Sequence, residues 1–300
     1  MDTIISEKKP VFSKIIAGCM NWGEWGINLN PDQAQDLIED CLSINISTFD
    51  HADIYGNYTT EALFGNAIKN KNSLRQQMQL ITKCGIKLVT ENRPYNQIKS
   101  YDTSKEYIIS SVEQSLKNLH TDYIDLLLIH RPSPLMNPLE IAEAFSELRD
   151  KGKVLHFGVS NFTTSQFEML HALFPLQTNQ IEISPLQLSP FLDGTLDQCI
   201  RLGIQPMAYS TLARGMFFTE KSDVRILRIN KVLDGLCSVY NTSADQILIA
   251  WLLKHPSGIL PVMGSTKINR IKSATDSLSI QLTDEDWFKI WEASTGTRVP

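Results

Sequence analysis

The sequence predicts a (β/α)8 TIM barrel that forms a single domain over residues 1–300. Short apolar segments alternate with amphipathic helices along the whole chain of 300 residues. Several of these segments are almost continuously apolar, as expected for parallel strands covered on both faces. No low-complexity tract or long linker divides the chain. Eight strand–helix units in a chain of this length are typical of a (β/α)8 barrel.

The predicted strands are the apolar segments themselves. β-branched residues are frequent in them and each segment is short, which favours strands over buried helical turns. The clearest example is IDLLLIH at 124–130. The eight predicted strands are residues 14–18, 47–50, 79–83, 124–130, 155–159, 177–183, 204–209 and 258–263.

Capping residues mark the predicted helix starts. Each is followed three positions later by Gln or Glu, the spacing of a capping box. Gly152 predicts the end of one helix, because a glycine often terminates helices in the left-handed conformation. Thr283 predicts the start of the last helix. The capping pattern occurs at Asn30, Thr103, Asn137 and Thr163.

A doubly wound dinucleotide-binding fold is the main structural alternative. No two glycines lie two positions apart, so the GxGxxG fingerprint of that fold is absent. The phosphate-binding motif GxxxxGK[ST] is absent as well. Ser160 follows Gly158 but lacks the second glycine of a nucleophile elbow. The barrel is therefore preferred.

Composition predicts a cytoplasmic protein that binds neither nucleic acid nor membrane. The 33 acidic residues outnumber the 28 basic ones, which disfavours extensive contact with phosphate backbones. The five cysteines form no CxxC pair, so neither disulfides nor a structural zinc site are expected. No apolar run approaches the roughly 20 residues of a membrane span. We also predict no signal peptide in residues 1–10 and no metal site.

Polar side chains follow six successive predicted strands at the end where enzymes of this fold bind their substrates. A single lysine, tyrosine or histidine at such a position is usually structural. The same position on successive strands indicates a shared site. These residues are Asp50, Lys83, His130, Ser160 with Asn161, Gln180, and Tyr209 with Ser210.

In their order along the chain, these strand ends resemble the motifs of the aldo-keto reductase family. FDHADIYG has an aspartate followed five residues later by a tyrosine. The resemblance covers residues 14–280, and the variants GCMNWGEWG and DHADIYG are most similar to a bacterial branch of uncharacterised reductases. The other matching motifs are ITK at Lys83, LLLIH at His130, GVSNF at 158–162, NQIEISPL at 179–186, AYSTL at 208–212 and GST followed by Arg270.

The resemblance implies an oxidoreductase that reduces aldehydes or ketones to alcohols with NADPH, or alternatively NADH. It implies a catalytic tetrad of Asp50, Tyr55, Lys83 and His130. Tyr55 would be the general acid, and Lys83, paired with Asp50, would lower the pKa of the phenol. His130 would donate a hydrogen bond to the carbonyl oxygen as negative charge develops on it.

The resemblance also implies the residues that bind the cofactor. Arg270 follows GST at the family's spacing for contacting the adenosine 2′-phosphate, and a guanidinium at a helix start suits a phosphate. Ser273 and Ala274 stand where many members carry Glu-Asn, which weakens the expected adenine contacts. The implied cofactor-binding residues are Gly18, Cys19, Met20, Ser160, Asn161, Gln180, Tyr209, Ser210, Leu212, Gly264, Ser265, Thr266 and Arg270.

Four residues near the ends of strands one and two are expected to line an apolar pocket for a small-molecule carbonyl substrate: Trp22, Trp25, His51 and Tyr58. His51 stands where many relatives carry Thr, and it either lines the pocket or hydrogen-bonds near the barrel rim. Neither the substrate nor the direction of flux can be identified from the sequence. A monomer is the default oligomeric state.

Two other functions remain open. One is a barrel aldolase in which Lys83 forms a Schiff base, because a lysine at a strand end suits that chemistry. The other is a regulatory subunit that binds the cofactor without turnover. The presence of all four tetrad residues favours the reductase.

Overall fold

The computed structural model describes residues 10–300, in which eight parallel strands close into a barrel. The (β/α)8 fold predicted from the sequence is therefore confirmed, with each barrel strand inside or overlapping a predicted segment. Residues 1–9 lie outside the described chain. They make up most of the segment in which we predict no signal peptide. The barrel strands are β1 (Ile16–Gly18), β2 (Thr48–Asp50), β3 (Gln79–Cys84), β6 (Ile124–Ile129), β7 (Val154–Ser160), β8 (Asn179–Glu182), β9 (Met207–Tyr209) and β10 (Leu260–Met263).

Two further strands form a short antiparallel hairpin after β3. They are β4 (Ile86–Lys87) and β5 (Ser100–Tyr101). Strands of two residues are too short to give a readable alternation of apolar and polar residues, so the sequence did not predict them. The hairpin projects from the carboxyl end of β3, the end at which the predicted site residues lie.

Helices follow the strands and cover the outside of the barrel. They are α1 (Pro31–Ser43), α2 (Tyr55–Tyr58), α3 (Thr60–Ile68), α4 (Asn72–Arg75), α5 (Lys105–Leu119), α6 (Pro138–Asp150), α7 (Thr164–His171), α8 (Thr195–Leu202), α9 (Met216–Thr219), α10 (Val224–Tyr240), α11 (Ala244–Leu253), α12 (Ile268–Asp276) and α13 (Asp284–Thr295).

Most of the predicted helix caps are present. Asn30 and Thr163 each form a full capping box, Asn137 accepts the backbone N–H of Leu139, and Gly152 has φ +67° after α6. The predicted start of α5 is wrong by one residue. Ser104 is the capping residue, because Asp102 hydrogen-bonds both the backbone N–H and the hydroxyl of Ser104 and so holds it in the capping position.

The order of the strands around the barrel determines which strands face each other across it. Starting from β1, the order is β2, β3, β6, β7, β8, β9 and β10, which pairs again with β1. Strands β2 and β8 therefore lie on opposite sides of the barrel, as do β6 and β10. Seven buried apolar side chains fill the barrel interior: Ile16, Ile81, Leu126, Leu128, Met207, Leu260 and Val262.

Candidate active site

Lys83 is the centre of a buried hydrogen-bonded cluster at the carboxyl ends of β2 and β3. Its Nζ donates to Asp50 Oδ2 at 2.7 Å, to the backbone oxygen of His51 at 2.8 Å and to Tyr55 Oη at 3.1 Å. These three bonds use all three donors of an ammonium group. The side chain is 1% exposed, so its position is set by these contacts and not by solvent.

Burial and neighbouring charges have opposite effects on the pKa values of Lys83 and Tyr55. Burial lowers the pKa of Lys83, but the Asp50 carboxylate and the Tyr55 contact raise it further than burial lowers it, and the net pKa is above the usual range. Burial raises the pKa of Tyr55 more than Lys83 lowers it. The sequence predicts a lowered phenol pKa from the cation alone, because burial of this tyrosine could not be foreseen. Tyr55 is therefore protonated at neutral pH.

His130 follows β6, and its ring lies beside Tyr55. The two ring centroids are 6.1 Å apart with the ring planes nearly perpendicular. Burial lowers the pKa of His130 well below its usual range, and the charges of Lys83, Arg131 and Lys99 lower it further. The imidazole is therefore neutral near pH 7 and carries one N–H donor.

Asp50 contacts two strands besides its own. Its Oδ2 accepts the bond from Lys83, and its Oδ1 accepts a bond of 2.8 Å from Gln180 Nε2. Gln180 belongs to β8, which lies opposite β2 in the ring. The hydrogen bond therefore crosses the full width of the barrel. The sequence places Gln180 in the site but does not predict its contact with Asp50.

The ends of β7, β8 and β9 are joined by a chain of hydrogen bonds. Tyr209 Oη donates to Asn161 Oδ1 at 2.7 Å, and Asn161 Nδ2 donates to Ser160 Oγ at 2.7 Å. Ser160 Oγ donates in turn to the backbone oxygen of Gln180 at 2.9 Å. Four of the predicted cofactor-binding residues are thus joined in one hydrogen-bonded chain beside Asp50. Ser210 and Leu212 continue the chain from this cluster.

After β10, the chain enters α12 through Gly264, Ser265 and Thr266. Helix α12 has no side-chain cap, and the Arg270 N–H donates to the Lys267 backbone oxygen. Within residues 10–300, the N–H groups of Ile268 and Asn269 in the first turn are therefore the ones available to an anion. Arg270 is exposed in the first turn and has no ion pair within residues 10–300. This donor set fits a phosphate. Ser273 instead donates to Asp245 on α11 at 2.7 Å.

A model of the aldo/keto reductase family matches residues 14–295. The chain belongs to the aldo/keto reductase family. It is 48% identical to the uncharacterized oxidoreductase YcsN of Bacillus subtilis over 96% of both chains. It is also 36% identical to a 6-dehydroglucose reductase of Agrobacterium fabrum over the full length of both. Among solved structures, a glycerol dehydrogenase of Gluconobacter oxydans has a TM-score of 0.84, with 23% identity, and covers 99% of this chain and 96% of its own.

These findings make the protein an NAD(P)H-dependent oxidoreductase of that family. Between residues 10 and 300, no helix combines the length and apolarity needed to cross a bilayer. Within the same range, no three His, Cys, Asp or Glu side chains form a group that could hold a metal ion.

The end of β1 contributes its backbone more than its side chains to this aldo/keto reductase site. A Cβ on Gly18 would come within 3.2 Å of the Met263 backbone oxygen, so the close approach of β1 and β10 favours glycine here. Cys19 is fully buried, and burial raises the pKa of its thiol. Met20 is 43% exposed. Of these three predicted cofactor residues, Met20 presents its side chain to solvent.

The structure brings Trp25 next to the Tyr55 ring, but not Trp22 or His51. The Trp25 ring lies 6.1 Å from the Tyr55 ring and is 39% exposed. Trp22 is fully buried against Phe64. Tyr58 is half-buried, and its hydroxyl accepts the backbone N–H of Leu88.

His51 packs edge-on against Phe64, with ring centroids 4.4 Å apart, and is fully buried. Neither of its ring nitrogens has a hydrogen-bond partner in the described chain. The prediction that it lines the pocket or hydrogen-bonds near the rim does not match this geometry. The reason is the alternation of side chains along a strand: Asp50 points into the barrel, so His51 points outward.

The sequence does not predict the roles of Asn57 and Glu24 near the mouth of the barrel. Asn57 accepts a bond from Trp25 Nε1 at 3.1 Å and donates one to Glu24 Oε2 at 2.8 Å. Asn57 has φ +56°, a left-handed conformation that asparagine tolerates better than most residues. The only signal for this turn was the pair Gly56-Asn57 directly after Tyr55. These bonds fix Trp25 beside the tetrad.

Proposed function

We propose that this protein is an NADPH-dependent carbonyl reductase in which Tyr55 protonates the carbonyl oxygen. One observation carries the proposal: Tyr55 Oη lies 3.1 Å from an ammonium group that is itself held by Asp50. Since the phenol oxygen accepts a bond from Lys83, the phenol proton is left free for the substrate. As the proton leaves, Lys83 stabilises the phenolate.

The remaining residues orient the carbonyl and exclude water. Bound NADPH supplies a hydride to the carbonyl carbon, so that an aldehyde and a proton give an alcohol and NADP⁺. The neutral His130 donates its N–H to the carbonyl oxygen, which gains negative charge during the reaction. The partly exposed Trp25 ring lies 6.1 Å from the Tyr55 ring and limits the space around the phenol.

Gln180 can serve the cofactor and the tetrad at once. Its Nε2 is used by Asp50, which leaves Oε1 to accept a hydrogen bond from the carboxamide NH₂ of the nicotinamide. Ser160, Asn161 and Tyr209 lie next to it in one hydrogen-bonded chain. A fixed carboxamide presents one face of the nicotinamide ring to the substrate, which is catalysis by positioning.

The name of a relative that matches over its full length favours an aldehyde substrate. The Agrobacterium fabrum protein at 36% identity is named a 6-dehydroglucose reductase. We propose by analogy that a small aldehyde is reduced here. The test is oxidation of NADPH by the purified protein in the presence of a panel of aldehydes and ketones, with the alcohol product identified. Failure to bind NADPH, or to oxidise it with any carbonyl compound, would refute the proposal.

Arg270→Ala is expected to raise the Kd for NADPH by roughly tenfold to a hundredfold, the usual effect of losing a hydrogen bond to a charged group. The Kd for NADH should change little, because NADH has no 2′-phosphate. Calorimetric titration with both cofactors measures this. Arg201→Ala is the control, since Arg201 is ion-paired with Glu168 on the outside of the barrel. Equal losses for NADPH and NADH would exclude a phosphate contact.

The Schiff-base aldolase is disfavoured by the state of Lys83. A lysine nucleophile needs a neutral amine and therefore a lowered pKa. Here the pKa is raised, and all three donors are occupied by Asp50, His51 and Tyr55. Borohydride should consequently trap no adduct between the protein and a carbonyl compound.

A further inference from the structure

Two basic side chains that are unpaired within residues 10–300 lie near His130, after the carboxyl ends of β3 and β6. Arg131 is the next residue along the chain and is partly buried, while Lys99 is exposed just before β5 in the hairpin above β3. Within residues 10–300, neither side chain makes an ion pair or a hydrogen bond. Other cations of the same region are engaged: Lys87 pairs with Asp102 at 3.7 Å, and Arg93 lies over the Tyr58 ring at 4.2 Å.

Both residues lie near His130 in the fold. Arg131 follows His130 directly, and the His130 backbone N–H donates to the Cys84 backbone oxygen at 2.8 Å. The hairpin that carries Lys99 begins two residues after Cys84. The charges of Arg131 and Lys99 also lower the pKa of His130, after burial and Lys83. Strands β3 and β6 are neighbours in the ring, which explains why residues following the two strands meet here.

The local charge is opposite to that of the chain as a whole. Segments 84–104 and 131–137 contain four basic residues and two acidic ones, whereas the full chain has a net charge of −5. Arg131 is partly buried, and its guanidinium makes no ion pair or hydrogen bond within residues 10–300. Its N–H donors are therefore free to bind an anion.

The cofactor phosphates do not account for these charges. The predicted phosphate site, with Arg270, follows β10, and β10 lies across the ring from β6. An anion near Arg131 must therefore belong to another molecule in the site, and the substrate is the molecule that binds beside Tyr55 and His130.

We propose that the substrate is a carbonyl compound that carries an acidic group, a carboxylate or a phosphate, and that Arg131 binds this group with help from Lys99. The planar fork of a guanidinium matches either anion with two parallel hydrogen bonds. The carbonyl end lies between Tyr55 and His130. This inference rests on the proposed reductase function and names the substrate class of the same site.

Matched pairs of aldehydes test the proposal. Succinate semialdehyde is compared with butanal for the carboxylate, and glyceraldehyde 3-phosphate with glyceraldehyde for the phosphate. The enzymes are the wild type, Arg131→Gln, Lys99→Gln and the double variant, with Arg201→Gln as the control on the outer surface. The kcat and KM of each are measured with saturating NADPH at low and high KCl.

We expect the wild type to favour the acidic member of at least one pair in kcat/KM by tenfold or more. Arg131→Gln should lower that preference roughly tenfold to a hundredfold, mainly by raising the KM of the acidic aldehyde. The kcat/KM for the neutral aldehyde should stay at the wild-type value. KCl should raise the KM of the acidic aldehyde only, because salt screens exposed charges. The favoured pair identifies the anion as carboxylate or phosphate.

Equal use of acidic and neutral aldehydes by the wild type would overturn the inference and leave the reductase intact. A preference that survives in the double variant would overturn it as well. Lys99→Gln keeps the test valid if Arg131→Gln does not fold, because Lys99 is exposed. Failure of the wild type to reduce any of the four compounds, or any other carbonyl, would instead be the failure of the proposed function.

Discussion

Tyr55→Phe is expected to lower kcat for carbonyl reduction at least a hundredfold, the usual scale for the loss of a general acid. The substitution removes one oxygen and keeps the ring that packs against Trp25 and His130. The Kd for NADPH should therefore stay close to that of the wild type. Steady-state rates and calorimetric titration of the same preparation separate the two effects.

Tyr240→Phe is the matched control for this experiment. Its hydroxyl donates to Asp286 at 2.6 Å on the outer helices, far from the tetrad. The same chemical change there should leave kcat unaltered. A Tyr55→Phe enzyme with near-normal turnover would show that another group protonates the substrate, and the assignment of the general acid would have to be abandoned.

Lys83→Met is expected to reduce both activity and stability. Activity should fall at least as far as in Tyr55→Phe, because the phenolate loses the cation that stabilises it and the phenol pKa, already raised by burial, rises further. The free energy of unfolding should fall by about 3–5 kcal/mol, since Asp50 is left as a buried charge without its partner. Reduction assays and urea denaturation measure the two quantities.

A second variant separates the two losses. In the double variant Asp50→Asn/Lys83→Met both buried charges are absent, so most of the stability should return while activity stays low. If the double variant is no more stable than Lys83→Met, the ion pair is not the origin of the destabilisation. If Lys83→Met retains substantial turnover, the proposed role of the cation is wrong.

Three members of the proposed tetrad could be placed at one end of the barrel from the sequence, because each lies at or just beyond the end of a barrel strand. Asp50, Lys83 and His130 are of this kind, and Tyr55 stands five residues after Asp50. The structure brings all four together. Local position along the chain was sufficient to place the three strand-end residues, whereas the choice of Tyr55 and the role of each residue rest on the resemblance to the aldo-keto reductase family.

Local position does not predict contacts that depend on the direction of a side chain or on a partner far away in the sequence. His51 was expected to line the pocket or to hydrogen-bond near the rim, but its side chain faces away from that of Asp50, because adjacent residues of a strand face opposite sides. Trp22 and Trp25 occur in one short loop, yet one is fully buried and the other is exposed. The bond from Gln180 to Asp50 joins residues 130 positions apart, and no local pattern predicts such a pair.

That bond also bears on how this enzyme can change during evolution. The Asp50 carboxylate is positioned by three strands, its own β2, the neighbouring β3 and β8 on the far side of the ring, and within residues 10–300 no loop side chain bonds to it. Insertions or substitutions in the hairpin after β3, or in the segment after β6, can therefore alter the substrate without displacing Asp50. Mutations that distort the circular cross-section of the barrel should be tolerated least, even when they lie far from the loops. Specificity can vary among descendants of this chain while the proton-transfer geometry is inherited unchanged.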